Sequence, residues 1–239
     1  IPKYAHIPLI HSKEGKKLSK RDGAATVEDY QKIGILSESL RNYLLRLGWS
    51  YKDKEIFSLE ESIQLFNLEG IGKSPSKLDI DRILSLNETY IKNFNEQKLF
   101  SYFTKYINDF KEKIDQDSLN KIKINFGVFK NKAKTLEDIY NNCKFVFDYK
   151  KIDIENLISK DEKNLMYLFV EKISQIQNNE LEQIKKVIEV IINEKKIKFK
   201  DFGQPLRLIL TGTKFAPSIN EIIACLGIVE TKKRLSLYF

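Results

Sequence analysis

The chain is 239 residues long, 42% hydrophobic and 11% aromatic, enough apolar material to bury real cores and to exclude a disordered chain. Forty-one Lys and Arg against 33 Asp and Glu leave a formal net charge of +8, a mild bias toward a polyanionic partner, although runs such as Glu194-Lys195-Lys196 read as solvated helix faces. No stretch reaches the roughly 18 to 20 apolar residues of a membrane span and no signal peptide opens the chain; with two histidines and two cysteines in apolar patterns it offers no zinc cluster, no other metal site and no disulfide framework, so the expected setting is soluble and cytoplasmic.

Residues 1–10 cluster apolar groups around Pro2 and Pro8, the pattern of a short extended segment centred near Ile7. A charged loop follows from His11 to Gly23, with glycines at 15 and 23 and the cationic run Lys16-Lys17-Leu18-Ser19-Lys20-Arg21 between them. Lysines on such a loop can lay point charges against a triphosphate while glycines let the backbone approach it. The loop is not a P-loop, because Gly15-Lys16-Lys17 lacks the upstream glycine spacing and the following Ser or Thr. Read alone, such a run is more often a solvated turn or a generic basic patch than a nucleotide site.

Helix signals then dominate. Thr26 with Asp29 marks one capped start, and Ser37 before Leu40, Leu44 and Leu47, closed by Gly48, marks a second helix. The same Ser/Thr-x-x-Asp/Glu box recurs at Ser58 and Glu61, Thr135 and Asp138, Ser159 and Glu162, and Ser218 and Glu221. Tyr102, Phe103, Tyr106 and Phe110 fall at core helical spacing rather than forming a base-stacking platform. Leu181, Ile184, Val187, Ile188 and Ile191 predict another helix, and Ile222, Ile223 and Leu226 one that Gly227 ends. A second strand-like stretch lies at Phe145–Phe147. The fold class is therefore mainly α, with boundaries expected near Asn93–Asn95 and Lys150–Asp161 and no fixed-period repeat. Cys143 and Cys225 read as buried free thiols. Trp49 reads as a packing anchor between domains, and Arg207 either meets RNA or pairs with a carboxylate.

Several motifs in one order carry a family resemblance. Lys17-Leu18-Ser19-Lys20-Arg21-Asp22-Gly23 resembles the KMSKS signature of class I aminoacyl-tRNA synthetases in the form used by the bacterial-type glutamyl-tRNA synthetases. His6-Ile7-Pro8-Leu9-Ile10 resembles the strand before that loop, and Leu44-Leu45-Arg46-Leu47-Gly48-Trp49 the end of the helix after it. Ile56-Phe57-Ser58-Leu59-Glu60-Glu61, Lys73-Ser74-Pro75, Leu86-Asn87 through Tyr90-Ile91, Leu206 to Gly212 and Pro217-Ser218-Ile219 are similar to further segments of the family, and Ser85 stands where it usually has Trp.

The resemblance implies the end of a catalytic domain (1–12), a stem-contact domain carrying the KMSKS-type loop (13–92), and two helical anticodon-binding subdomains (93–155 and 156–239). It further implies an ATP-dependent ligase, with Mg2+ accompanying ATP, whose partners are tRNA(Glu), ATP and glutamate and which acts as a monomer. Lys17 and Lys20 are then the catalytic residues, neutralising charge on the phosphates. Leu18 borders the adenine, and Ser19 and Arg21 shape and anchor the nucleotide-binding loop. The chain starts at Ile1 without a methionine and has no HIGH-type motif, so the expectation is a C-terminal piece of the enzyme that is inactive alone. A non-catalytic tRNA-binding module with an inherited loop is the alternative. Glutaminyl enzymes, with β-barrel anticodon domains, fit the helical pattern less well.

Overall fold

A computed structural model describes residues 4–18, 26–175, 181–214 and 217–239. The described residues are mainly α. In chain order they form β1 (Ile10–His11), α1 (Val27–Lys32), α2 (Ser37–Gly48), α3 (Leu59–Leu65), β2 (Ser76–Lys77), α4 (Ile80–Asn93), α5 (Glu96–Phe110), α6 (Gln116–Ile124), α7 (Phe126–Lys130), α8 (Leu136–Cys143), α9 (Lys160–Ser174), α10 (Leu181–Lys195), α11 (Phe199–Thr211) and α12 (Ile219–Leu235). Two compact units result: Ile1–Glu112 with Lys130–Ile139, and Lys113–Phe129 with Tyr140–Phe239.

The first unit packs α2 against α4 over Tyr30, Ile35, Leu40, Tyr43 and Ile83. α1 and α3 start on reciprocal capping boxes, Thr26 with Asp29 and Ser58 with Glu61, each satisfying backbone donors that a helix start leaves open. The second helix departs from expectation. Its N-cap is Leu36, because the Ser37 hydroxyl turns to Glu38 Oε2 at 2.9 Å. The Leu36 N–H donates instead to Oδ1 of the fully buried Asn87, 2.9 Å away, while Asn87 Nδ2 donates to the Lys134 carbonyl at 2.6 Å. Asn42, also buried, does the same for the segment before α3: Nδ2 donates to Glu55 O at 2.9 Å and Oδ1 accepts from Phe57 N at 2.8 Å. Trp49 is buried among Tyr51, Phe57 and Phe66 with Nε1 on the Asn67 carbonyl, so its partners all lie inside this unit rather than across a domain boundary.

In the second unit Ile184, Ile188 and Ile191 of α10, Met166, Phe169 and Ile173 of α9, and Phe202, Leu206 and Ile209 of α11 are buried, with Phe169 edge-on to Phe202 at 5.3 Å. Boxes at Ser159 with Glu162 and Ser218 with Glu221 start α9 and α12. Gly227, at φ 75° and ψ 165°, interrupts α12 where the sequence ends one helix, and a second stretch continues to Leu235. Phe145 and Val146 lie in a 3-10 turn (Lys144–Val146) and not in a strand: burial of Phe145 edge-on to Phe129 at 6.0 Å uses the aromatic residue in packing instead of a ladder. The ladder near the start of the chain begins at Ile10, and residues 4–9 around Ile7 have no regular structure.

Two substitutions test the first unit. Asn87→Leu keeps the branching and heavy-atom count of the side chain and removes both bridges, so urea denaturation should show a loss of about 1–3 kcal/mol, the cost of stranded backbone groups. Gly34, at φ +81°, follows α1, and a Cβ there would sit 2.7 Å from the Leu136 backbone N, whose N–H donates to the Gly34 carbonyl at 2.9 Å. Gly34→Ala should therefore destabilise by about 2 kcal/mol or more in the same measurement, since left-handed strain alone is about 1–2 kcal/mol and the clash is with backbone.

Candidate functional site

The cationic loop is rooted in a short hairpin. Ile10–His11 forms one arm and Lys17–Leu18 the other, with Leu18 N donating to Ile10 O at 3.1 Å, Ser12 N to Lys16 O at 2.7 Å and Gly15 N to Ser12 O at 2.9 Å. Gly15 turns the tip at φ +87°, a region that favours glycine. The Ser12 hydroxyl donates to Glu14 Oε2 at 2.7 Å, and this bond holds the Glu14 carboxyl below the usual range. The other edge of β1 pairs in parallel with β2, His11 opposite Lys77, and Leu78 N donates to His11 O at 2.9 Å.

Charges around the hairpin are sorted by partner. Lys13 Nζ lies 3.1 Å from Asp81 Oδ2 and 3.9 Å from Asp79 Oδ1. The hydrogen bond to Asp81 first, then the charge of Asp79, raise the Lys13 pKa. Lys16 and Lys17 are exposed and form no ion pair among the described residues. Of the sequence-predicted nucleotide-site residues, Lys17 stands on the second arm with its side chain in solvent and Leu18 is half-buried beside it. Ser19, Lys20 and Arg21 lie outside the described residues. Sequence reasoning missed His11, Lys77, Asp79 and Asp81 as neighbours of the loop, because pairing between β1 and β2 spans more than sixty residues and leaves no local pattern.

The other singled-out residues are accounted for by packing. Phe103 and Tyr106 are buried and Tyr102 and Phe110 half-buried; the Tyr106 hydroxyl donates to Lys32 O at 2.9 Å and that of Tyr102 to Glu38 Oε1 at 2.8 Å. Arg207 Nε donates to the Pro217 carbonyl at 3.2 Å, which ties the chain after α11 to that helix; no carboxylate pairs with it among the described residues. Cys143 and Cys225 are buried free thiols, and burial pushes both up, Cys225 to about 11, so neither is a nucleophile at neutral pH. Among the described residues no helix is long and apolar enough to cross a membrane.

Known proteins give this geometry its context. The model of the anticodon binding domain matches residues 90–238, and that of the catalytic domain of class I tRNA synthetases (E and Q) matches residues 1–85. The chain is 54% identical over 238 residues to a glutamate–tRNA ligase of Pelagibacter ubique, an alignment that covers 98% of this chain and 51% of that protein. It is 37% identical to the enzyme of that name from Wigglesworthia glossinidia brevipalpis, over 99% of this chain and 50% of the other. A crystal structure of a glutamate tRNA ligase from Elizabethkingia meningosepticum, in complex with its amino acid, superimposes with a TM-score of 0.81 at 28% identity, over 99% of this chain and 51% of that one. The chain thus spans about half the length of the relatives it matches. It belongs to the anticodon binding domain family, with a match to the class I tRNA synthetase (E and Q) catalytic domain ahead of that domain.

Proposed function

We propose that this chain is the tRNA-binding part of a glutamate–tRNA ligase and brings the KMSKS-type loop to its ATP site. The match to the anticodon binding domain over residues 90–238, joined to a catalytic-domain match over 1–85, carries this reading. In the whole enzyme the glutamate carboxylate attacks the α-phosphorus of ATP and pyrophosphate leaves; the glutamyl group of the adenylate then passes to a hydroxyl of the terminal adenosine of tRNA(Glu), releasing AMP. The chemistry asks this chain for stabilisation of phosphate charge in place as it develops. Lys17 and Lys20 take that role, Leu18 borders the adenine, and Ser19 and Arg21 hold the loop in shape. The exposed, unpaired state of Lys17 supports the assignment, because an ammonium already held by a carboxylate would have to break that pair to meet a phosphate.

In the same reading residues 13–92 contact the acceptor stem, 93–155 and 156–239 form the anticodon-binding subdomains, and Mg2+ arrives with the ATP phosphates. The enzyme is a cytoplasmic monomer. The 239 residues contain no HIGH-type motif, and an adenylate site needs both halves positioned together, so this chain alone binds tRNA without charging it.

Two experiments test the reading. The chain should bind a tRNA(Glu) transcript more tightly than one with an altered anticodon, and the preference should persist at physiological salt, where nonspecific phosphate binding has weakened steeply. Equal affinities that fade together with salt would leave only the net charge as an explanation. In the intact enzyme Lys20→Ala should lower turnover by about 10²- to 10³-fold, the scale of one lost stabilising donor, with tRNA affinity little changed. Equal losses of turnover and tRNA affinity would contradict the loop's assignment to ATP.

A further inference from the structure

The hairpin and β2 place three side chains from two distant parts of the sequence in one row. The bonds Ser12 N to Lys16 O and Leu18 N to Ile10 O flank the antiparallel pair His11 and Lys17 without joining it. That is the narrow, non-hydrogen-bonded pairing, in which opposed side chains come closest and share one face of the ladder. Across the other edge His11 is in register with Lys77, and residues paired directly in a parallel ladder also share a face. The order across the ribbon is therefore Lys17, His11, Lys77, with a half-buried imidazole between two exposed lysines.

None of the three side chains has a hydrogen-bond or ion-pair partner among the described residues. The neighbouring carboxylates are engaged elsewhere: Asp81 and Asp79 hold Lys13, and Glu14 accepts from Ser12. Two like charges across one imidazole repel each other unless an anion lies between them. Ammonium groups and an imidazole N–H make up a donor set suited to the tetrahedral oxygens of a phosphate.

We infer that Lys17, His11 and Lys77 form a phosphate-binding row, with His11 and Lys77 as binding residues in addition to the loop lysines. The inference shares Lys17 with the proposed ATP loop and rests on that reading only there. Phosphate oxygens of this chemistry belong to a nucleotide or to an RNA backbone.

Histidine resonances test it directly, because His6 and His11 are the only two in the chain and His6→Asn assigns them. Titration with pyrophosphate in the full chain should move the ring C2–H signal of His11 and leave that of His6 in place. Lys77→Gln should weaken pyrophosphate binding about three- to fivefold, the effect of one exposed charged contact, and His11→Asn should weaken it as well, both with unchanged circular dichroism. Displacement of pyrophosphate by ATP would assign the row to nucleotide, and displacement by an acceptor-stem RNA hairpin to the RNA backbone; either supports the row. A weaker Lys17→Gln beside unaffected Lys77→Gln and His11→Asn would overturn the row and spare the loop reading. An unmoved His11 signal with all three variants unaffected would overturn both.

Discussion

Two buried side-chain amides hold the first unit to its loops, and most of what lies around them depends on that. Helices α2 and α4 can bury their apolar faces against each other without help, but the segments that leave them bury the backbone N–H groups of Leu36 and Phe57 and part-bury the carbonyls of Glu55 and Lys134. Asn87 satisfies one such donor at Leu36 and one acceptor at Lys134, and Asn42 serves Phe57 and Glu55 in the same way. Tyrosines extend the device: Tyr43 accepts from Asp79 N at 2.7 Å, Tyr90 donates to Phe57 O at 3.1 Å and Tyr106 to Lys32 O. Each bond adds only about 1 kcal/mol net, while an orphaned buried group costs about 1–3 kcal/mol, so these side chains act chiefly by preventing loss. The Tyr43 bond also fixes Asp79, which caps α4 and stands beside Lys13 of the hairpin.

The second unit solves a related problem at a helix end. The last carbonyls of α11 have no partner within the helix. Buried Arg234 donates from Nη1 to Leu210 O at 2.7 Å, and the Tyr149 hydroxyl donates to Ile209 O at 2.8 Å. Arg234 is itself held by Glu230 at 2.8 Å and lies over the Tyr149 ring at 4.0 Å. A cation at a helix C-terminus also meets the negative end of the macrodipole. The break at Gly227 separates α12 into two stretches, and the second of them carries Arg234.

Features set by neighbours in sequence were legible, and features set by distant partners were not. Every Ser/Thr-x-x-Asp/Glu box read from the sequence closes on itself, including Thr135 with Asp138, because all its atoms lie within four residues. The helical spacing of α10 and the stop at Gly227 are equally local. Ser37 is not the cap because its hydroxyl turns to Glu38; the helix starts from Leu36, whose N–H is held by Asn87, fifty-one residues further along the chain. Phe145–Phe147 looked like a strand because aromatic and β-branched residues favour strands, yet the buried Phe145 packs edge-on against Phe129 from a 3-10 turn. At the candidate site the lysine run and its glycines were visible, and the family motifs named Lys17 and Leu18. The pairing that sets His11 and Lys77 beside them was invisible, since two-residue strands carry no periodicity.

The hairpin's construction bears on how its lysines can act. Lys13 binds Asp81 and Asp79, but this pair is exposed, and an exposed ion pair is weak and screened by salt. It therefore contributes little to fixing the loop. The backbone ladder does more, because Leu18 N to Ile10 O, Ser12 N to Lys16 O and Leu78 N to His11 O join three segments by main-chain bonds that do not depend on side-chain charge. The ladder therefore holds the Cα of Lys17 in place when salt changes the electrostatics around it, while the ammonium at the end of its flexible stem stays free to move. The strength of the root and the freedom of Lys16 and Lys17 thus have different sources, and removing the Lys13 pair should leave the geometry of the row intact.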